Sequence, residues 1–171
     1  MGKHGLFCQA CGGPTAVAGV DGRPRPVCTR CGAIVYLDPK LAAAVVIARD
    51  DRLLLGRRRE GARAAGRWSF PAGFVERGEP VESAAAREAR EEVGLDVAIG
   101  PLIGLYSRAG ETVVLAVFAG SAAADEPVAG DDLDAVGWFP LDALPELAFP
   151  HDARVIADWQ ARAGAPPGTG R

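Results

Sequence analysis

No uncharged apolar run in this chain approaches the roughly 20 residues needed to span a bilayer. The opening residues, MGKHGLFCQACGG, also lack the apolar core of a signal peptide. Together these absences set the expectation of a soluble protein, without membrane association, in a reducing cytoplasm. Strong charge of either sign is missing too: 19 Lys and Arg against 22 Asp and Glu leave a formal net charge of -3. That balance argues against broad electrostatic binding of nucleic acid, although it leaves open a local basic patch such as Arg57-Arg58-Arg59. Only two histidines occur, His4 and His151, neither at a metal-ligand or triad spacing, so surface roles are expected for both. There is no internal repeat, nor the interleaved aromatic and basic residues of a single-strand nucleic-acid binder.

Cysteine is absent after residue 31, and the four that precede it form two knuckles, Cys8-Gln-Ala-Cys11-Gly and Cys28-Thr-Arg-Cys31-Gly. Two C-x-x-C pairs sixteen residues apart match a structural zinc ribbon with tetrahedral sulfur ligation. Each knuckle ends in glycine, which permits a tight turn that aims amides at the sulfurs. A pair of disulfides suits secreted proteins, and a redox C-x-x-C accounts for one knuckle better than two. Four thiolates fill a tetrahedral shell, so zinc held by Cys8, Cys11, Cys28 and Cys31 is expected to be structural. A segment this small needs that metal to fold. Whether the ribbon contacts substrate, mediates a homodimer or covers a neighbouring domain is not decided by its sequence.

Nearly half of the 171 residues are apolar, enough for one ordinary domain beyond the ribbon. Within it, residues 80–93 read as a helix rich in alanine and glutamate, opened by Pro80 and stopped by Gly94. Glu88, Glu91 and Glu92 stand at i, i+3 and i+4 and share one helix face within about one turn, roughly 5 Å of rise. Such crowding of like charge destabilises a helix, more so if the face is partly buried. A hard divalent cation removes the conflict. Oxygen donors without histidine or thiolate favour magnesium or manganese, which retain waters and bind phosphate oxygens. The alternative is a solvated acidic face with Arg87 and Arg90 in surface ion pairs.

Extended to residues 73–95, GFVERGEPVESAAAREAREEVGL, the pattern is G, five residues, E, seven residues, R-E, an apolar residue, any residue, E-E, any residue, G and an apolar residue. Every position of that signature is met by Gly73, Glu79, Arg87, Glu88, Ala89, Glu91, Glu92, Gly94 and Leu95, and it resembles that of the Nudix hydrolases. The flanks are similar to the family as well: 42–48 to its opening strand, 53–55 to its second, 66–76 to the run entering the signature, and 136–141 to a closing strand before a short helix. The resemblance implies an α/β fold, a Nudix α/β/α sandwich with a mixed sheet, preceded here by a small zinc ribbon. The expected division is a ribbon over 1–38, a Nudix hydrolase domain over 39–163 and a disordered tail over 164–171.

Within that domain 42–48 and 52–56 suit two strands joined by a tight turn at Asp50-Asp51, and 97–106 and 112–119 read as further strands, the second buried. Residues 121–134 are expected to form a loop. Residues 150–163 read as a last helix with Val155, Ile156 and Trp159 facing the core.

The resemblance also implies hydrolysis of a nucleoside diphosphate linked to another moiety, by water attack on phosphorus with metal ions stabilising the developing charge. Glu88, Glu91 and Glu92 would hold magnesium, or manganese, with the Gly73 carbonyl joining them. Arg87 would orient a glutamate, and Glu79 would support the loop or a metal-bound water. Glu91 or Glu92 would activate water, or an acid outside the signature would do so, for which Glu111 and Asp131 are candidates. Arg57 is the candidate for gripping substrate phosphate, with a solvated strand end as the alternative. A ribbon before this domain is also found in NADH pyrophosphatases, but their S-Q-P-W-P-F-P motif is missing from 100–108. The shorter ribbon-bearing group that includes FAD and ADP-ribose pyrophosphatases is a better match, and Leu147-Ala148-Phe149 looks similar to it. Oxidised nucleoside triphosphates are an alternative substrate, and a ligand sensor that binds without cutting is an alternative of another class.

Overall fold

The computed structural model describes residues 7–123 and 125–163. His4 and the tail expected to be disordered lie outside the described residues. The chain divides into two compact units, the first ending at Pro39 and the second beginning at Lys40. No described helix is long and apolar enough to cross a membrane.

In the first unit, strands β1 (Thr15–Val20) and β2 (Arg23–Cys28) pair antiparallel, with Val20 opposite Arg23. The two residues between them, Asp21 and Gly22, both have positive φ, 50° and 72°, the geometry of a hairpin turn that follows strand twist. The Asp-Gly pair is the sequence signal for that hairpin. Pro24 and Pro26 in β2 donate no ladder hydrogen bonds, which an edge strand tolerates.

The second unit is built on a seven-stranded sheet. Strand β3 (Lys40–Arg49) turns through Asp50 and Asp51, at φ 49° and 59°, into β4 (Arg52–Arg58). Two short strands follow, β5 (Trp68–Ser69) and β6 (Ala72–Phe74), then helix α1 (Val81–Val93). After these come β7 (Val97–Tyr106), β8 (Val113–Ala122), β9 (Leu133–Pro140) and helix α2 (Asp152–Ala163). The main path runs β5-β4-β3-β8-β7, with β6 paired to β3 and β9 to β4. Among the described strands only β3 and β8 pair in parallel, so the sheet is mixed.

Side chains alternate along a strand, so a strand covered on both faces carries an unbroken apolar run. On one face Val45, Ile47 and Leu54 pack with Ala89, Val93 and Leu95 around α1. On the other, Val46, Leu53 and Leu55 pack with Val155 and Ile156 of α2, and Trp159 covers them. Ala84, Ala85 and Ala89 are fully buried, and their small side chains let α1 lie close against the sheet. Gly94 ends α1 in the left-handed region, its N–H donating to the Arg90 carbonyl.

Two expectations need correction. Residues 121–134 are not all loop: β8 continues through Ser121 and Ala122, which pair with Ala98 and Val97, and β9 already begins at Leu133. Backbone pairing needs no apolar side chain, which is why the polar ends read as loop. Leu133 is buried against Gly56, where an added Cβ would lie 2.3 Å from its Cδ1. Pro80 caps α1 from outside rather than forming its first residue.

Candidate active site

Arg87 is the hub of the acidic face of α1. Its Nε and Nη2 donate to the two oxygens of Glu79 at 2.9 and 3.0 Å, a bidentate pair. Its Nη1 donates to Glu88 at 2.7 Å and to Glu91 at 3.0 Å, and Nη2 also donates to the Phe74 carbonyl at 3.0 Å. All five guanidinium protons are thereby used. Glu79 also accepts from the Glu76 amide at 3.0 Å. Hydrogen bonds from Arg87, then from Glu76, hold its carboxyl below the ordinary glutamate range.

Strand β6 runs along this face one residue at a time. Phe74 meets Arg87, Gly73 meets Glu88, and the Ala72 amide donates to Glu92 at 2.9 Å. A Cβ on Gly73 would stand 2.0 Å from the Glu88 carboxyl carbon, so only glycine lets the carboxylate lie against the strand. Burial pushes Glu88 upward despite Arg87. Glu92 is 8% exposed, and burial, against the Ala72 hydrogen bond, raises its pKa to about 7. Glu91 is exposed.

Glu88, Glu91 and Glu92 line an open cleft of about 420 Å³ with Gly130, Asp131 and Asp132. The far wall is held to the end of α1: the amides of Val128 and Gly130 donate to the carbonyls of Val93 and Glu92 at 3.0 and 2.9 Å. Arg59 fixes the wall from the other side, donating to the carbonyls of Asp131 and Asp132. Asp131, a candidate base, is thus brought to the cluster. Glu111 instead faces Arg108 at 3.9 Å. Arg57 does not line the cleft; its guanidinium pairs with Asp134 on β9, over the Trp68 ring. The sequence reading named Gly73 but missed Asp132, Gly130 and the backbone of Ala72 and Phe74, which have no polar side chain to draw notice.

The charge balance of the cleft fits a hard divalent cation. Five carboxyl side chains line it, Arg87 bonds only two of them, Glu88 and Glu91, and burial raises Glu92, which no guanidinium bonds, to about 7. In the first unit the four sulfur atoms lie within 4.8 Å of one another, with separations of 3.4, 3.5 and 3.6 Å for three pairs. A tetrahedral zinc with bonds of about 2.3 Å sets sulfurs about 3.8 Å apart, so the cluster fits that ion. Gly12 and Gly32 close the knuckles at φ 69° and 73°. The amides of Cys31 and Arg30 point at the Cys28 sulfur and lower its pKa to about 6. At Cys11 the Gly13 amide acts downward, but neighbouring Cys31 and Cys28 outweigh it and raise the pKa to about 12. The sulfurs do not all carry charge without a cation.

Known families, proteins and structures match both parts of the chain. The NUDIX domain family matches residues 38–160, and a family described as Nudix N-terminal, a zinc ribbon, matches residues 6–37. A protein of Methanocaldococcus jannaschii named ADP-ribose pyrophosphatase is 37% identical over 129 residues, which is 73% of this chain and 75% of that protein. A protein of Pseudomonas aeruginosa named NAD-capped RNA hydrolase NudC is 36% identical over 148 residues, 85% of this chain. The chain spans about half the length of that relative, 51%. Among solved structures, a NUDIX hydrolase from Nitrosomonas europaea superposes with a TM-score of 0.84 at 28% identity, covering 94% of each chain.

Proposed function

The chain belongs to the Nudix hydrolase family, and from that premise we propose that it cuts the diphosphate of a nucleoside diphosphate linked to another moiety, with ADP-ribose or FAD as substrate. The observation that carries this reading is the cleft in which Glu88, Glu91 and Glu92 face Asp131 and Asp132. Glu88, Glu91 and Glu92, with the Gly73 carbonyl, would hold magnesium or manganese. Bound there, the cation neutralises charge on the phosphoryl oxygens. Cys8, Cys11, Cys28 and Cys31 hold a structural zinc.

Arg87 keeps Glu88 and Glu91 oriented, and Glu79 locks Arg87 in turn, so these two act by positioning. Asp131 receives the proton of the attacking water, whose oxygen bonds to phosphorus as the phosphorus–oxygen bond of the leaving phosphate breaks. Burial raises Glu92 above the ordinary glutamate range, and a cation held there would favour its charged form.

The M. jannaschii relative supports ADP-ribose, and the NudC relative supports NADH as the second reading. The test is incubation with magnesium and a panel of ADP-ribose, FAD, NADH and 8-oxo-dGTP, with product separation and Glu92→Gln as control. AMP with ribose 5-phosphate or FMN supports the proposal. NMN and AMP from NADH, or 8-oxo-dGMP, shifts the substrate, and no turnover of any compound favours a sensor.

A further inference from the structure

The run Arg57-Arg58-Arg59 reads in sequence as one basic patch, but its three side chains go to three places. Arg57 pairs with Asp134 on β9, and Arg58 Nε donates to the Arg63 carbonyl at 2.6 Å. Arg59 is exposed, and among the described residues it has no carboxylate ion-pair partner. Its Nη1 donates at 2.5 Å to the backbone carbonyl of Asp131, not to the carboxylate of that residue. A surface ion pair does not account for such a choice.

Asp131 and Asp132 are the two corner residues of a β-turn closed by the Leu133 amide, which donates to the Gly130 carbonyl at 3.1 Å. The carbonyls of corner residues find no partner inside such a turn, and the peptide between them has two orientations related by a flip. The flipped form requires a positive φ at the second corner, Asp132, and brings the Asp131 carbonyl oxygen against the Cβ of Asp132. Neither aspartate has a positive φ here. Asp21, Asp50 and Asp51 do, at 50°, 49° and 59°, so an aspartate at a turn corner is no bar to the flip in this chain. The group that would turn over is the Asp131 carbonyl, which Arg59 grips. The Asp132 carbonyl is held separately, by the Arg59 amide at 3.3 Å.

We propose that Arg59 is a positioning residue whose guanidinium latches the Asp131–Asp132 peptide, keeping the Asp131 carboxylate in place in the cleft with Glu88, Glu91 and Glu92. Released, the peptide flips, crowds the side chain of the second corner and turns a carbonyl dipole toward the carboxylates. This rests on the reading of Asp131 as the base of a nucleotide hydrolase. The side chain contributes one bond only. Without it the wall stays attached through the Arg59 amide and through Gly130, whose N–H donates to the Glu92 carbonyl at 2.9 Å, so Arg59→Ala folds.

The latch is tested by steady-state hydrolysis of ADP-ribose with magnesium, using Arg59→Ala, Arg59→Lys, Asp131→Asn and the Arg59→Ala/Asp131→Asn double variant, with backbone amides followed by NMR. Arg59→Ala lowers kcat roughly tenfold or more, with KM within about twofold. Arg59→Lys, whose ammonium still donates to a carbonyl, recovers most of the loss. In the Asp131→Asn background the alanine change costs less than about twofold, because the group it positions is already gone. The Asp132 amide resonance shifts or broadens in Arg59→Ala, while that of Gly130 keeps its place. An equal rise in KM in both backgrounds makes Arg59 a substrate contact and overturns the proposal, as does full kcat in Arg59→Ala. If the native chain hydrolyses nothing, the hydrolase reading fails and the Asp132 amide decides the latch: a shifted resonance leaves it standing, and an unmoved one overturns it.

Discussion

Glu92 and Gly73 make opposite demands on their surroundings. Burial raises Glu92, so its folded carboxyl holds a proton to higher pH than the unfolded one, and ionisation between about pH 4.5 and about 7 costs the folded state. Asp152, also raised by burial, to about 6, adds to the effect between about 4 and 6. The metal-free protein therefore loses stability as pH rises through this window, by an amount on the order of 3 kcal/mol for each of the two groups. Urea midpoints from pH 4 to 8 should show the decline, with Glu92→Gln removing about half of it and magnesium counteracting the Glu92 share. Glu92→Gln should also lower kcat by roughly 100-fold or more while far-UV dichroism is unchanged. Gly73→Ala separates function from fold. The added methyl meets the movable end of Glu88, so stability changes by less than about 1 kcal/mol, while the displaced carboxylate lowers activity roughly 100-fold. A stability loss as large as the activity loss would contradict that account. The three glutamates were legible because their spacing is a helical one, and Gly73 because it opens the signature; Ala72 and Phe74 were not, since their part is played by a backbone amide and a carbonyl.

Among the elements, the wall of the cleft is the one most exposed to a single substitution. A Cβ on Gly130 would lie 1.9 Å from the Glu91 carbonyl oxygen, and that neighbour is backbone and gives way only if the wall moves. Gly130→Ala is expected to cost about 1–3 kcal/mol and to carry Asp131 and Asp132 away from Glu88 and Glu91. Amide exchange would report it, with Val128 and Gly130 losing protection. Unchanged exchange there would show that the wall is not held as described. Long elements were readable in proportion to their period: α1 from its alanines and glutamates between Pro80 and Gly94, β3 and β8 from unbroken apolar runs. Strands β5 and β6, of two and three residues, are too short to show alternation. The ends of β8 and β9 were misread because Ser121 and Asp134 carry loop-like side chains on paired backbone.

For the whole molecule, the four clustered sulfurs make the stability of the first unit depend on the zinc they would hold. A strong chelator, or Cys28→Ser, should abolish amide protection across the β1–β2 hairpin while Val45, Leu54 and Val117 in the second unit stay protected. Loss of protection in both units together would mean that the ribbon does not fold as a unit of its own. The division near residue 39 could be drawn from cysteine placement and Pro39 alone, whereas the sheet order, which joins distant segments, could not.

That order has a temporal side. Strand β3 finds β4 at once through the Asp50-Asp51 turn, yet its parallel partner begins only at Val113, and Ile47 waits for Gly120. The whole run from Gly73 to Leu95 is synthesised within that gap, and the wall that completes the cleft comes after β8. On a ribosome, therefore, a nascent chain carries its carboxylates long before it can gather them, and the pairing of β3 with β8 is the slow, non-local step that turns an acidic helix into a site.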